Sequence, residues 1–285
     1  MAGGPFLLVP SAGLSRMPAH TQVAEPGEDE RIFHTTMDLA AREGLADKPI
    51  GDVVAALGFS FLGIPYVAHS LETTGPECLV VNLRAFDCTT FMENCLVLAR
   101  CVKLKRSSFD DYRRQLQLVR YRGGIIDGYP SRLHYFTDWV QDNERKKILQ
   151  DVSESVGGKR AEKVIDFMST HPSSYRQLDD TATVQRIREV EKRLTARGFP
   201  FVRKGQVPNL LGKIRNGDLI GTATSMAGID VSHTGVAVQK DGTVKFLHAP
   251  LSGGTVQVSE GSLADYLARH NAMTGIVVAR PLEPQ

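Results

Sequence analysis

The dipeptide Asp241-Gly242 determines more of the fold than any other short stretch, because it lies between two runs of alternating apolar residues. In this setting an Asp-Gly pair predicts a two-residue hairpin turn with positive φ at both positions. Such a turn fixes the strand register, so Gly235 is predicted to face His248. His233 and His248 would then project from one face as diagonal neighbours, with Cβ atoms about 7–8 Å apart.

Strands are predicted around this hairpin, and helices dominate the chain before it. Apolar patterns predict strands at 218–223, 235–239, 245–249, 255–258 and 276–280, with a helix at 262–270 between the last two. Helical spacing predicts helices at 47–57, 88–105, 160–170 and 183–197, and a strand-like run occupies 79–83. Helices first and sequential strands later indicate an α+β fold with an antiparallel sheet.

Cys88 lies where the strand-like run gives way to apolar residues at helical spacing. Asp87 is a good N-cap, which would place Cys88 in the first turn, although Thr90 and Glu93 offer a capping box one turn later. The positive end of a helix favours a thiolate, and its free N–H groups can bind an oxyanion. The alternative is a small cysteine that only fills space in the core.

Cys88, His233 and His248 are the residue types of a nucleophile, a base and a group that orients the base. His233 would form an ion pair with Cys88 and later protonate a leaving amine. His248 would hold His233 in its tautomer and orientation. A lone histidine is more often an ordinary core or surface residue, but the shared face and register weaken that alternative for this pair.

The segment from Tyr112 to Trp139 combines five arginines with six aromatic residues. Guanidinium groups bind carboxylates in a fork, and aromatic faces pack on sugars or apolar groups. One interpretation is the wall of a substrate groove. The other is a well-packed loop whose arginines are merely solvated.

Composition excludes several classes of protein. A net charge of +2 over 285 residues argues against a nucleic-acid binder, and no apolar run is long enough for a transmembrane helix. Cys95 and Cys101 lie inside the helical pattern and are predicted packing residues. No Cys/His spacing typical of a metal site occurs, so no metal or cofactor is expected.

Residues 1–30 are predicted to be a loosely ordered tail, and residues 31–285 a single elaborated domain. Residues 6–14 form a short apolar patch with no Lys or Arg before it, too weak for a complete signal peptide. The patch is either the remnant of a signal peptide or simply the chain end.

Six short motifs follow one another along the chain. They are Gly63-Ile64-Pro65-Tyr66-Val67, Asp87-Cys88-Thr89-Thr90-Phe91-Met92-Glu93, Ser131-Arg132-Leu133-His134-Tyr135-Phe136, His171-Pro172-Ser173-Ser174-Tyr175, Gly217-Asp218-Leu219-Ile220 and Ser232-His233-Thr234-Gly235. With His248, they resemble, in the same order, motifs of the NlpC-type papain-like cysteine peptidases and amidases of bacterial cell walls. The resemblance is closer to one branch, the N-acetylmuramoyl-L-alanine amidase-like proteins, and runs from about Thr35 to Pro281. Met92 departs from the β-branched residue that relatives often carry, without functional consequence.

This resemblance implies a papain-like fold in which the helix that carries the nucleophile packs on an antiparallel sheet, with extra helices and loops. It implies that Tyr66 lies beside Cys88 and helps to hold the oxyanion. Arg132, His134 and Tyr135 match the family motif and are predicted substrate contacts. Asp87 is a further candidate near the scissile bond, with helix capping as its alternative role.

The function implied is a cysteine amidase that cuts the amide between N-acetylmuramic or anhydromuramic acid and L-alanine. Its partners would be peptidoglycan fragments in the bacterial periplasm, and the intermediate a thioester acyl-enzyme. One alternative is an endopeptidase acting between D-glutamate and the diamino acid of the stem peptide. Others are a different acyl transfer at the same site and a non-catalytic cell-wall binding module.

Overall fold

The hairpin at Asp241-Gly242 is present in the structure, a computed structural model that describes residues 27–285. Asp241 and Gly242 have positive φ angles of 53° and 75°. Val236 lies opposite Leu247, as a two-residue turn at these positions requires. The predicted register is therefore confirmed.

Eight strands of the described residues join in one sheet, and every pairing between them is antiparallel. They are β1 Leu149–Asp151, β2 Lys159–Ala161, β3 Phe199–Arg203, β4 Leu219–Thr224, β5 Val231–Lys240, β6 Thr243–His248, β7 Gln257–Val258 and β8 Met273–Pro281. Their spatial order is β2-β3-β8-β4-β5-β6-β7, with β1 also paired to β8. The α+β class with an antiparallel sheet is confirmed.

Ten α-helices accompany the sheet within the described range. They are α1 Glu28–Arg42, α2 Ile50–Ser60, α3 Cys88–Lys103, α4 Phe109–Arg120, α5 Phe136–Arg145, α6 Ser153–Val156, α7 Phe167–Thr170, α8 Thr181–Arg197, α9 Val207–Leu210 and α10 Leu263–Ala268. None of the helices in residues 27–285 is long and apolar enough to cross a membrane. The prediction of α8 is confirmed, since it ends at Gly198 and buries Ile187, Val190 and Leu194.

Three predictions of secondary structure were wrong. The helix predicted at 160–170 is reduced to α7, because residues 159–161 pair with β3 as an edge strand. The run at 79–83 is not a strand. The helix predicted to end at residue 57 continues as α2 to Ser60, so Gly58 lies inside it, where a Cβ atom would come within 2.8 Å of the Leu247 side chain.

The sheet separates two apolar clusters, and alternate strand residues contribute to one or the other. Leu219 and Val277 belong to the larger cluster, which includes residues of α2 and α3. Ile220 and Val278, one position further along, belong to the smaller cluster, which contains Tyr266 of α10. The helix that begins at Cys88 is thus buried against one face of the sheet.

The predicted tail, residues 1–30, lies mostly outside the described residues. Its last residues, from Glu28, form the start of α1. Asp29 accepts a hydrogen bond from the backbone N–H of Leu83 at 2.8 Å and pairs with Arg84 at 3.2 Å. Helix α1 is therefore attached to the segment that leads into Cys88.

The segment between Tyr112 and Trp139 agrees in part with the interpretation as a groove wall. Its ends belong to α4 and α5, and several of its later residues line two cavities near Cys88. Its arginines are not free, however: buried Arg120 contacts Glu93 at 2.8 Å, and partly buried Arg122 contacts Asp138 at 2.7 Å. Composition alone does not reveal this pairing, because Glu93 lies outside the segment and only the fold brings Asp138 against Arg122.

Glu93 is a buried charge at the centre of this arrangement, one helical turn beyond Cys88. It accepts hydrogen bonds from Arg120 at 2.8 Å and from the Trp139 indole at 3.0 Å. Both members of the ion pair are almost fully buried, so neither is stabilised by water once its partner is lost. Glu93 therefore joins α3 to α4 and α5.

Replacing Glu93 with glutamine is expected to lower the free energy of unfolding by about 3–5 kcal/mol, because the Arg120 charge would remain buried and uncompensated. Urea unfolding followed by circular dichroism measures the change. Glu189→Gln is the matched control, since Glu189 pairs with Lys192 on the exposed face of α8. Equal unfolding midpoints for Glu93→Gln and the wild type would contradict the role given to the pair.

Candidate active site

Helix α3 begins at Cys88 because Asp87 caps it. The Asp87 carboxylate accepts the backbone N–H of Thr90 at 2.7 Å, and the Thr90 hydroxyl accepts the backbone N–H of Asp87 at 2.9 Å. This reciprocal capping box fixes the start at Cys88 and excludes the later start with Thr90 and Glu93. Cys88 is therefore the first helical residue, at the positive end of the helix.

Tyr66 is held beside the start of α3 by backbone contacts. The N–H of Val67 donates to the carbonyl of Phe86, and the N–H of Phe86 donates to the carbonyl of Pro65, both at 3.0 Å. Burial, together with the negative charges of ionised Cys88 and Asp87, raises the pKa of Tyr66 to about 12. The phenol therefore stays protonated near neutral pH and can donate a hydrogen bond.

His233 and His248 are joined by a hydrogen bond between Nε2 of His233 and Nδ1 of His248, 2.7 Å in length. The predicted common face of the two side chains is thus confirmed. Gly235 permits this approach: a Cβ atom there would lie 2.6 Å from the Leu247 carbonyl oxygen and 2.9 Å from Cβ of His248. A larger residue at this position would push the two strands apart.

A cavity of about 80 Å³ brings Cys88 and His233 together. His248 does not line it but lies behind His233, with only 1% of its surface exposed. Because Nε2 of His233 is bonded to His248, Nδ1 is the nitrogen left for the thiol. The cavity is lined by Cys88, Thr89, Met92, Leu133, His134, Phe136, Trp139, Val231, Ser232, His233 and Thr234.

Burial controls the protonation of this pair. It raises the pKa of the Cys88 thiol, with a further increase from the Asp87 charge, while contacts with Thr234 and Thr89 act in the opposite direction. It lowers the pKa of His233 to about 4, assisted by the positive charge of His270. Both shifts favour a neutral thiol beside a neutral imidazole, so the predicted preformed ion pair is not favoured in this closed site.

The low pKa of His233 has a consequence for the pH profile. A base acts in its neutral form, so activity should fall only as the pH drops through about 4, rather than through the ordinary histidine value of about 6.5. We expect kcat/KM to be nearly constant from pH 7 down to about pH 5. A pH–rate profile on a soluble muropeptide measures this, and half-maximal kcat/KM near pH 6.5 would contradict it.

Two of the predicted substrate contacts line a second cavity of about 190 Å³ that shares Thr89, Leu133 and His134 with the first. Arg132 lines it, but its guanidinium already binds Glu72 at 2.6 Å and the Leu71 carbonyl at 2.7 Å. His134 lines both cavities, and burial holds its pKa well below the ordinary value. The Arg132 guanidinium is therefore not free to bind a substrate carboxylate. His134 contributes an uncharged imidazole ring to the lining of both cavities.

Asp87 and Tyr135 differ in their relation to these cavities. Asp87 caps α3 and also lines the second cavity, so both of its predicted roles are compatible with its position. Tyr135 lines neither cavity; its hydroxyl donates to Glu191 at 2.6 Å and accepts the backbone N–H of Met168 at 3.1 Å. The predicted contact between Tyr135 and substrate is corrected to a packing and hydrogen-bonding role.

Two further residues belong to the site although sequence reasoning did not select them. Thr234 lines the first cavity and follows His233 directly, so its place in the motif was a usable signal. Tyr266 packs against His248, with ring centroids 4.9 Å apart. Its helix follows the strands without a motif of its own, so only the tertiary structure reveals it.

The other cysteines have different surroundings. Cys95 and Cys101 are buried and Cys78 is exposed, all three without disulfide partners among residues 27–285. The prediction that Cys95 and Cys101 are packing residues is confirmed by their complete burial. Across the described part of the chain, no group of three or more His, Cys, Asp or Glu residues is arranged to hold a metal ion.

Two crystal structures are similar to this chain over most of their own length. A crystal structure of an N-acetylmuramoyl-L-alanine amidase from Bacteroides uniformis ATCC 8492 is 37% identical with a TM-score of 0.78, over 81% of this chain and 98% of that one. A second crystal structure of an N-acetylmuramoyl-L-alanine amidase from the same organism is 36% identical with a TM-score of 0.78, over 82% of this chain and 99% of that one.

A more distant neighbour, a Legionella pneumophila protein of the family DUF1460, has a TM-score of 0.68 over 89% of this chain and 95% of that one. At 21% identity it shows the fold alone. No curated protein matches the chain.

The model of one protein family covers most of the sequence. It is the AmiA-like family, described as N-acetylmuramoyl-L-alanine amidase-like, and it matches residues 56–276. That range contains Cys88, His233, His248 and both cavities. The chain therefore belongs to the AmiA-like family and is an N-acetylmuramoyl-L-alanine amidase-like enzyme.

Proposed function

We propose that the chain is a cysteine amidase that cuts the bond between N-acetylmuramic or anhydromuramic acid and L-alanine in peptidoglycan fragments. The observation that carries the proposal is the shared cavity of Cys88 and His233, with His248 bonded to the far nitrogen of His233. These three residues have the relation of nucleophile, base and orienting group. The fold is proposed to be papain-like and of NlpC type, formed by residues 31–285 as one domain.

In the proposed reaction, His233 takes the thiol proton as the Cys88 sulfur attacks the carbonyl carbon of the lactyl group. Because the pKa shifts favour a neutral pair, proton transfer accompanies attack rather than preceding it. The backbone N–H groups at the start of α3 and the Tyr66 phenol stabilise the oxyanion. Protonated His233 then gives its proton to the alanine nitrogen, which leaves, and water hydrolyses the thioester.

The apolar part of the first cavity favours this bond over the rival bond in the stem peptide. Met92, Leu133 and Val231 are among the apolar residues that line this cavity of about 80 Å³ together with the thiol. The muramic lactyl group carries a methyl on the carbon next to the scissile carbonyl, and L-alanine carries one across the amide. The γ-glutamyl carbonyl instead follows an unbranched methylene chain, which offers no comparable methyl group to these apolar side chains.

Mass spectrometry of the products tests which bond is cut. A disaccharide- or anhydromuramyl-peptide is expected to yield free sugar and an intact peptide that begins with L-alanine. Cys88→Ala supplies the blank reaction. Muramyl-L-alanyl-D-glutamate with a released diamino-acid fragment would identify an endopeptidase and remove the amidase proposal, while the proposed cysteine mechanism would stand.

The proposed substrate indicates where the chain acts. The family that the chain belongs to acts on peptidoglycan, which suggests action outside the cytoplasm, and we place the chain in the bacterial periplasm.

A non-catalytic binding module is the alternative from another class of function. Such a module would have no use for a cavity lined by a thiol and an imidazole, with an orienting histidine behind the imidazole. Transfer of the acyl group to an amine instead of water would appear in the same mass spectra as a product with a new amide.

A further inference from the structure

One nitrogen of the buried orienting histidine lacks a hydrogen-bond partner. His248 is 1% exposed, and its Nδ1 lies 2.7 Å from Nε2 of His233. Its Nε2 is buried and makes no hydrogen bond to any described residue. A buried polar group without a partner carries a cost in free energy, so its persistence at a site calls for a physical reason.

The proposed chemistry determines where the protons of the two rings must be. To take the thiol proton, His233 needs an unprotonated Nδ1, so its own proton lies on Nε2 and is donated to Nδ1 of His248. His248 must then carry its proton on Nε2, the nitrogen without a hydrogen-bond partner. The other His248 tautomer would donate to His233 and shift the His233 proton to Nδ1, where it would block the reaction.

Two aromatic rings besides His233 pack on His248, and they differ in orientation. Phe246 is stacked on it, with centroids 4.7 Å apart and planes 23° apart. Tyr266 is nearly perpendicular, with centroids 4.9 Å apart and planes 76° apart. An N–H bond lies in the plane of the imidazole, so it can point into the face of a perpendicular ring but not into that of a stacked ring.

We propose that Tyr266 is a positioning residue whose ring face receives the Nε2–H of His248 and keeps both histidines in the tautomers that leave Nδ1 of His233 free. This inference rests on the proposed function of His233 as the base. A single N–H to π contact is weak. It nevertheless stabilises the His248 tautomer protonated on Nε2, because that N–H group has no other acceptor. The tautomer protonated on Nδ1 has no N–H group directed at the Tyr266 ring and is not stabilised. A small energy difference is enough to select between two tautomers of similar energy.

Helix α10 holds the Tyr266 ring rigidly. Ser262 and Asp265 form a capping box at its start, and Leu263 and Leu267 on either side of Tyr266 are fully buried. Tyr266 is itself 9% exposed, and its ring also lies 5.1 Å from that of Phe246. The ring is thus fixed by contacts that do not depend on a bound substrate.

Two substitutions separate the contribution of the Tyr266 ring from that of its hydroxyl group. Tyr266→Phe keeps the ring face and is expected to change kcat by less than about threefold, whereas Tyr266→Leu should lower kcat by about tenfold or more with little change in KM. Leu267→Ala is the matched control, because it removes a buried side chain of α10 while Tyr266 and both histidines keep their side chains. Equal loss of kcat in Tyr266→Phe and Tyr266→Leu would overturn the role of the ring.

Nitrogen NMR of protein labelled in histidine tests the tautomers directly and needs no substrate. In the wild type, both His233 and His248 are expected to carry their protons on Nε2, and in Tyr266→Leu His248 should shift toward the Nδ1–H form. A wild-type His248 protonated on Nδ1, or a Tyr266→Leu protein with unchanged tautomers, would overturn the inference. If the wild type cuts no muropeptide, the proposed function fails, while the tautomers still decide the role of Tyr266.

Discussion

Cys88→Ala is expected to abolish turnover while the protein remains folded. The substitution removes the proposed nucleophile, and loss of a nucleophile commonly costs at least about 10⁴-fold in kcat. The fold should survive because Cys88 lines the cavity and belongs to neither apolar cluster, so its sulfur leaves no void in the core. Chromatography of muropeptide products measures turnover, and circular dichroism with thermal unfolding measures the fold.

Cys95→Ala is the matched control, since Cys95 lies on the same helix but is fully buried in the larger cluster. It should lose stability because it leaves a cavity, yet keep the chemistry of the site. The two substitutions are therefore expected to have opposite effects: Cys88→Ala loses turnover and keeps the fold, whereas Cys95→Ala loses stability and keeps turnover. A folded Cys88→Ala protein with turnover near that of the wild type would rule out the mechanism.

The histidine pair gives the second large effect. His233→Ala removes the proposed base and should lower kcat by at least about 10³-fold. His248→Gln should retain at least tenfold more activity than His233→Ala, because the glutamine carbonyl can still accept the Nε2–H of His233. The orienting group needs only to accept a hydrogen bond, whereas the base must exchange a proton.

The same assay of kcat measures both variants, with thermal unfolding as a check that each one folds. The informative quantity is the order of the two defects rather than their size. If His248→Gln is less active than His233→Ala, the roles of the two histidines are reversed.

Local sequence signals predicted the parts of this structure that local physics controls. The Asp241-Gly242 turn fixed the register that joins His233 to His248, since positive φ at both positions leaves few alternatives. The capping ability of Asp87 placed Cys88 at the start of α3. In both cases the deciding interactions lie within a few residues of each other.

Other parts of the structure depend on contacts between distant segments, which the sequence alone does not predict. The strands β1 and β2 have three residues each and exist because they pair with β8 and β3. Arg132 looked like a ligand for substrate carboxylates, but Glu72 and Glu77 reach it from a distant segment and surround it. The position of Tyr266 against His248 likewise follows from the packing of α10 on the sheet.

The most direct test of the proposed cysteine amidase mechanism is the mass of the expected covalent intermediate. Wild-type protein is mixed with an anhydromuramyl-peptide, quenched in acid within its first turnover and measured intact and after digestion. The expected adduct carries the mass of the muramyl group alone and maps to the peptide that contains Cys88. An adduct that also contains L-alanine and D-glutamate, or one attached to a different residue, would contradict the proposed reaction.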